Sequence, residues 1–249
     1  MKLKKLVAIT LSAVMCMAAL TGCGGKSDSA KKTAKVIEVD LTDEQYAFGV
    51  DKDQPDLLKE VNQFVKDMKS DGTFDEICNR YFGDGTPVPV KSAAYDESKD
   101  QLVVATNAAF EPFEYMDGEN YVGIDMEIAK ALADKLGKEL VIQNMDFDAV
   151  CLSVGQHKCD VAMAGLTIKP DREEYVAFSD PYYSASQKLI TLSTDTEFDA
   201  CKTADDVNKI LEAKGSDLKI GFQNGTTGQF YCEGDDDWGF PGLKMESKG

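Results

Sequence analysis

"DMEIAKALADKLGKELVIQNM", residues 125–145, changes its period halfway along. Ile128, Ala131, Leu132 and Leu136 recur at steps of three and four, which sets them on one face of a helix. Asp125 stands where an N-cap is expected, and Gly137 stands where the helix has to end. Beyond Gly137 the pattern becomes "ELVIQNM" (139–145), a strand with Leu140-Val141-Ile142 at its centre. A helix that runs straight into a buried strand is part of an α/β unit, and the flanking sequence extends it. "QLVVAT" (101–106) reads as a strand, and "FEYMDGENYVGI" (113–124) as an extended pair around an Asp117-Gly118 turn. Residues 148–155 read as a short helix and "DVAMAGL" (160–166) as another buried strand. This alternation predicts an α/β domain around a mostly parallel sheet. "QKLITLS" (187–193) is a strand leading out of it. A helix over about 203–213 and a strand "LKIGFQ" (218–223) begin a further unit.

Upstream, Leu57, Val61, Phe64, Val65 and Met68 form a single stripe on a helix. Thr73, with Glu76 three residues on, has the form of a capping box opening a second, shorter helix. The apolar face of that helix carries Phe74, Ile77, Cys78, Tyr81 and Phe82. Residues 86–100, with Pro87 and Pro89, have no periodicity and read as a linker.

The start of the chain has a secretory signal layout: Lys2, Lys4 and Lys5, then an apolar stretch over 6–20, then small residues. Leu20-Thr21-Gly22-Cys23 looks like a bacterial lipobox, which would make Cys23 the lipidated first residue of the mature chain. On that reading residues 1–22 are removed and 23–35 form a polar tether from a membrane anchor. The formal net charge of −17 then becomes about −20, because three lysines leave with the signal. So acidic a surface excludes nucleic acid and anionic head groups as partners. No later apolar run approaches the roughly 20 residues of a membrane-spanning helix. Cys78, Cys151, Cys159, Cys201 and Cys232 form no CxxC pair, and free thiols are expected.

Ligands of open α/β sheets bind beyond the carboxyl ends of strands, and three such ends carry chemistry here. The first runs into Asn107 and Phe110, beside Glu111 and Pro112. Phe110 there is either a wall for a ligand or a plain hydrophobic plug. The second runs through Ala164, Gly165 and Thr167 to Arg172. Carbonyl oxygens and a hydroxyl suit an ammonium, and a guanidinium grips a carboxylate by two parallel bonds. From spacing alone, though, Arg172 reads rather as a solvated turn residue pairing with Glu173 or Glu174. The third is Gln223-Asn224-Gly225-Thr226-Thr227-Gly228, a glycine-containing turn before a helix start. His157 lies in a Gln-His-Lys turn and reads as a surface residue. Asp235-Asp236-Asp237 lacks the spacing of a calcium loop and reads as a solvated run. No metal and no cofactor is expected.

"VVATNAAFEPFEY", "YVGIDMEIAKALADKLG", "CDVAMAGLTIKPDREEYVAFSDPYY" and "IGFQNGTTGQFY" occur in this order. Together they resemble the polar amino-acid-binding proteins of ABC importers, extracellular solute-binding family 3, over 101 to about 232. The resemblance implies a periplasmic-binding-protein-like fold of type II, in which two α/β lobes close over one amino acid. It implies that Phe110 and Phe147 flank the ligand side chain and that Asn107 contacts it. Gly165 and Thr167 would meet the ammonium, and Arg172 with the Thr226-Thr227 backbone would hold the carboxylate. Residues 36–85 resemble the family's return strand and terminal helix pair, moved to the front, where they would pack on lobe one (101–195). Lobe two (196–249) would then be incomplete. The expected function is a monomeric, lipid-anchored, extracytoplasmic receptor handing a polar amino acid to importer membrane subunits. A degenerate receptor is the first alternative. A dehydratase-like enzyme is the second, and it would need Glu111 or Asp148 as a lone base in the cleft.

Overall fold

The computed structural model describes residues 33–243, so the expected signal sequence, the expected lipidation site Cys23 and most of the expected tether lie outside the described residues. The chain opens with β1 (Ala34–Val36), β2 (Glu44–Tyr46) and β3 (Gly49–Asp51), followed by α1 (Pro55–Ser70) and α2 (Thr73–Phe82). Next come β4 (Gln101–Thr106), β5 (Ala109–Phe110), β6 (Glu114–Asp117), β7 (Asn120–Val122) and α3 (Ile124–Leu136). Then follow β8 (Glu139–Asn144), α4 (Phe147–Gly155), β9 (Val161–Ala162), α5 (Pro170–Glu173) and β10 (Val176–Phe178). The last elements are β11 (Tyr183–Ala185), β12 (Ile190–Leu192), α6 (Ala204–Ala213) and α7 (Thr227–Glu233).

The central sheet has the order β10-β3-β9-β4-β8. Four of its strands point one way, and β3 alone runs against both of its neighbours. This is the mostly parallel α/β sheet expected from the alternating pattern. Both faces are covered. Leu102 and Val104 of β4 join one cluster with Val61 and Met68 of α1 and Ile128 and Leu132 of α3. Val103 and Ala105 turn to the other side, against Val150 and Val154 of α4. A strand buried on both faces reads as an unbroken apolar run, which is how β4 and β8 read.

The N-terminal segment is shared between two cores. Residues from 46 to 82 pack into the large core, although only β3 joins its sheet and β2 pairs with β11, while Ile37 and Val39 pack with Phe198, Val207 and Leu211 in a smaller cluster. β1 pairs with β12, so both sit outside the large sheet. The reason is hydrogen bonding: two lone three-residue strands satisfy their backbones only by running together. The linker at 86–100 has no regular structure, yet it is held. Val90 and Tyr121 exchange backbone hydrogen bonds, and the carboxylate of Glu127 accepts from Val88 N–H, Tyr81 Oη and Arg80 Nη1.

Three local expectations change. The N-cap of α3 is Gly123, and Asp125 lies inside the first turn, buried, where its carboxylate bonds elsewhere. Thr73 is the first residue of α2 and not its cap, because Asp71 Oδ1 already accepts the Thr73 N–H at 2.9 Å. Residues 218–223 form no strand, since no described segment lies alongside to pair with them. Leu218, Ile220 and Phe222 still turn toward the smaller cluster at every second position. Other expectations stand: Gly137 ends α3 in the left-handed conformation (φ 71°), and the helix expected over about 203–213 forms as α6, with Thr203 and Asp206 making a capping box that the sequence reading did not name. The five cysteines after residue 23 are free thiols.

Met68 is 1 % exposed between α1 and the sheet. Met68→Ala is expected to cost about 2–5 kcal/mol and to lower the urea midpoint of the whole large lobe in a single transition. A separate early transition of 44–82 would show that this segment does not fold with the sheet.

Candidate functional site

A cavity of about 370 Å³ opens where the carboxyl ends of β4 and β9 meet the segment before α7. It lies within the usual range of small-ligand sites, about 300–1,000 Å³. The structure brings all ten candidate residues to its wall. Asn107, Phe110 and Phe147 come from the β4 and α4 side. Ala164, Gly165, Thr167 and Arg172 follow β9, and Gln223, Thr226 and Thr227 lead into α7. Among the described residues that line it, only Arg172 and Lys188 carry positive charge, and none is a carboxylate.

Arg172 sits in the short helix α5 with 8 % of its surface exposed. Nη1 donates to Thr167 O at 2.8 Å and Nη2 to Gly225 O at 3.0 Å, while the guanidinium lies 5.3 Å from the Phe147 ring centroid. Burial lowers its pKa from the ordinary value. Neither Glu173 nor Glu174 pairs with it, and among the described residues it forms no salt bridge. Asp171 and Glu44 offset part of this charge from a distance, but a buried cation in direct contact only with two carbonyls and a ring is costly, and a contacting anion would relieve it.

Gly165 has φ +52°, and a Cβ there would stand 2.9 Å from Phe110 Cε1. Both the backbone conformation and the phenyl ring therefore demand glycine. Its N–H donates to Asp125 Oδ2 at 2.9 Å, and Tyr182 Oη donates to Asp125 Oδ1 at 2.6 Å. Asp125 thus anchors the cavity floor from beneath. Burial raises its pKa from 3.8 to about 6, against the two hydrogen bonds that lower it. Nearby Glu114 has no hydrogen-bond partner on either oxygen, and burial drives its pKa well above the ordinary carboxylate value.

Asn107 and Gln223 meet across the opening: Gln223 Nε2 donates to Asn107 Oδ1 at 2.9 Å, and Asn107 Nδ2 donates to Met145 O at 2.7 Å. Phe110 stacks on Phe113 with centroids 5.5 Å apart. Glu111 and Asp148, the candidate bases, are exposed and do not line the cavity. Asp235 is not a solvated residue. It and Asp171 each lie 2.9 Å from Lys169 Nζ, which is almost fully buried and 4.6 Å from the Phe230 centroid. His157 has an exposed ring, as expected, with Nδ1 2.8 Å from the buried Asp51.

Two contributors escaped the sequence reading. Tyr46 lines the cavity, and Glu44 stands directly behind Thr167 and Thr227. Both lie more than 50 residues from the strand ends that drew attention, and Glu-Gln-Tyr carries no local signal of its role, since the buried-exposed-buried pattern of Glu44–Tyr46 exists only in the fold.

Residues 8–84 and 102–229 match the bacterial extracellular solute-binding proteins, family 3. The chain belongs to that family. It is 40% identical over 96 residues to the arginine-binding extracellular protein ArtP of Bacillus subtilis, covering 39% of this chain and 38% of the relative. It is 33% identical over 135 residues to ABC transporter arginine-binding protein 1 of Escherichia coli, covering 54% and 50%. Among solved structures, an ancestral arginine-binding protein bound to arginine is 42% identical, with a TM-score of 0.33 over 34% of this chain and 38% of that one. The chain thus spans half or less of the length of these proteins. No helix among the described residues is long and apolar enough to cross a membrane.

The Asp125 carboxyl gives a pH signature. Its folded pKa of about 6 lies above 3.8, so the native state holds the proton more tightly than the unfolded chain. The resulting stabilisation is full below pH 4 and is lost as pH rises to 6. Asp125→Asn keeps an acceptor for Gly165 N–H and a donor for the Tyr182 oxygen. It is expected to abolish this fall, at most about 3 kcal/mol, in urea unfolding measured from pH 4 to 7. Parallel profiles of the two proteins would refute the assignment.

Proposed function

We propose that this chain is an extracytoplasmic receptor that captures a polar amino acid for an ABC importer. The observation that carries the reading is Arg172: a buried guanidinium, unpaired with any described carboxylate, on the wall of a cavity of amino-acid size. A ligand carboxylate would supply the missing charge by two parallel hydrogen bonds. The aromatic faces of Phe110 and Phe147 would flank the ligand side chain, with Asn107 and Gln223 polar at its tip. Gly165 and Thr167 would meet the ammonium, and the Thr226-Thr227 backbone would share the carboxylate. The arginine-binding relatives support a cationic amino acid, and arginine is the first ligand to test. Family membership supports an extracytoplasmic setting and importer membrane subunits as partners. On this reading Cys23 carries a lipid anchor, the receptor works as a monomer, and residues 44–82 serve lobe one as the family's terminal segment does elsewhere.

Thermal unfolding of the full chain with each of the twenty amino acids is the test. A ligand that binds only the native state raises the midpoint, by an amount equivalent to about 2.7 kcal/mol at one hundred times Kd. L-Arginine is expected to raise it, and Arg172→Ala is expected to remove the shift. No shift with any amino acid refutes the receptor reading; a shift surviving in Arg172→Ala refutes the clamp.

A further inference from the structure

The carboxylate of Glu44 is 1 % exposed and forms no ion pair among the described residues. Four neutral donors surround it. Thr42 Oγ1 and Gln187 Nε2 donate to Oε1 at 2.6 and 3.0 Å. Thr167 Oγ1 and Thr227 Oγ1 donate to Oε2 at 2.7 and 2.9 Å. These last two hydroxyls belong to the cavity wall, one beside β9 and one in α7. A threonine hydroxyl has one proton and two lone pairs. With both protons committed to Glu44, Thr167 and Thr227 turn only lone pairs toward the cavity, and a negative charge stands directly behind them. The Arg172 guanidinium lies on the same wall, bonded to Thr167 O. One wall therefore offers a donor fork for an anion and, beside it, an acceptor pair for a cation.

We propose that Glu44, without touching ligand, is the positioning residue that makes this wall select an α-ammonium group next to the carboxylate. The proposal rests on the amino-acid reading of the cavity and names the group that enforces it. The charge comes from β2 in the N-terminal segment, while the oxygens it orients come from 167 and 227, so selectivity is assembled from three distant parts of the chain. In Glu44→Gln the new amide group faces either the two threonines or the Thr42 and Gln187 pair. In the first case the threonine protons turn toward the cavity, and in both the charge behind the wall is gone.

The experiment is calorimetric titration of the full chain with L-arginine and with 5-guanidinopentanoate, the same molecule without its α-ammonium. The wild type is expected to prefer L-arginine. Glu44→Gln is expected to cut that preference about tenfold, the weight of a charge-assisted hydrogen bond, while leaving affinity for the deaminated compound within about twofold. Equal weakening of both compounds overturns the proposal and leaves the cavity as an amino-acid site. A wild type that binds neither compound removes both readings. Should Glu44→Gln not fold, Thr227→Val and Thr227→Ser carry the same comparison. The serine variant, which keeps the hydroxyl, retains the preference and the valine variant loses it; identical preference in the two overturns the proposal.

Discussion

Three residues, Gly49–Asp51, lie between β9 and β10 and run against both. The fit is tight: a Cβ on Gly49 would come within 2.9 Å of Val176 Cγ2. Everything at the candidate site follows from this insertion. It gives β10 its only neighbour in the sheet and brings α1 and α2 over the apolar face that β4, β9 and α3 leave open. It also fixes where β2 ends, and hence places Tyr46 on the cavity wall and Glu44 behind it. A sheet strand can be supplied from any position in the chain, because the ladder requires only that donors and acceptors line up. The cost is loop closure, which grows slowly with length, so a partner more than 100 residues distant is tolerated.

The electrostatics of the cavity are set by what stands one layer back. Asp125 takes the Gly165 N–H and so holds a left-handed residue in place, while Glu44 takes two hydroxyl protons from the wall. Arg172 is left as the buried charge without a partner carboxylate. A low-dielectric site amplifies such an imbalance, since unpaired buried charge is expensive and an incoming opposite charge relieves it. Lys169 shows the opposite arrangement on the neighbouring turn. It is equally buried but clasped by Asp171 and Asp235, so it ties α5 to the segment after α7 and leaves nothing for a ligand.

Much of the fold was legible because its signals are local. The period change at Gly137, the runs at 101–106 and 139–144, and the stripe from Leu57 to Met68 all appear within one or two turns of chain. Residues 218–223 show the limit of such reading: the alternation is real and packs as expected, but a strand exists only if another segment pairs with it. The same limit applies to Asp125 and Thr73. Each has the residue type and spacing of a cap, yet in each case a competing partner decided the outcome. Tyr182 and Gly165 claimed the Asp125 carboxylate, and Asp71 claimed the Thr73 N–H.

By itself the sequence determined an α/β domain, the strand ends that bear chemistry, and the residue types gathered there, since periodicity and turn residues act over short distances. Only the tertiary structure decided that ten of those residues share one cavity and that no described carboxylate forms an ion pair with Arg172. It alone showed that residues 34–41 and 44–82 serve different cores. It alone placed Glu44 against Thr167 and Thr227. Burial and hydrogen-bond partnership are properties of the assembled chain, and a buried carboxylate is chosen by whatever donors the fold brings within 3 Å of it.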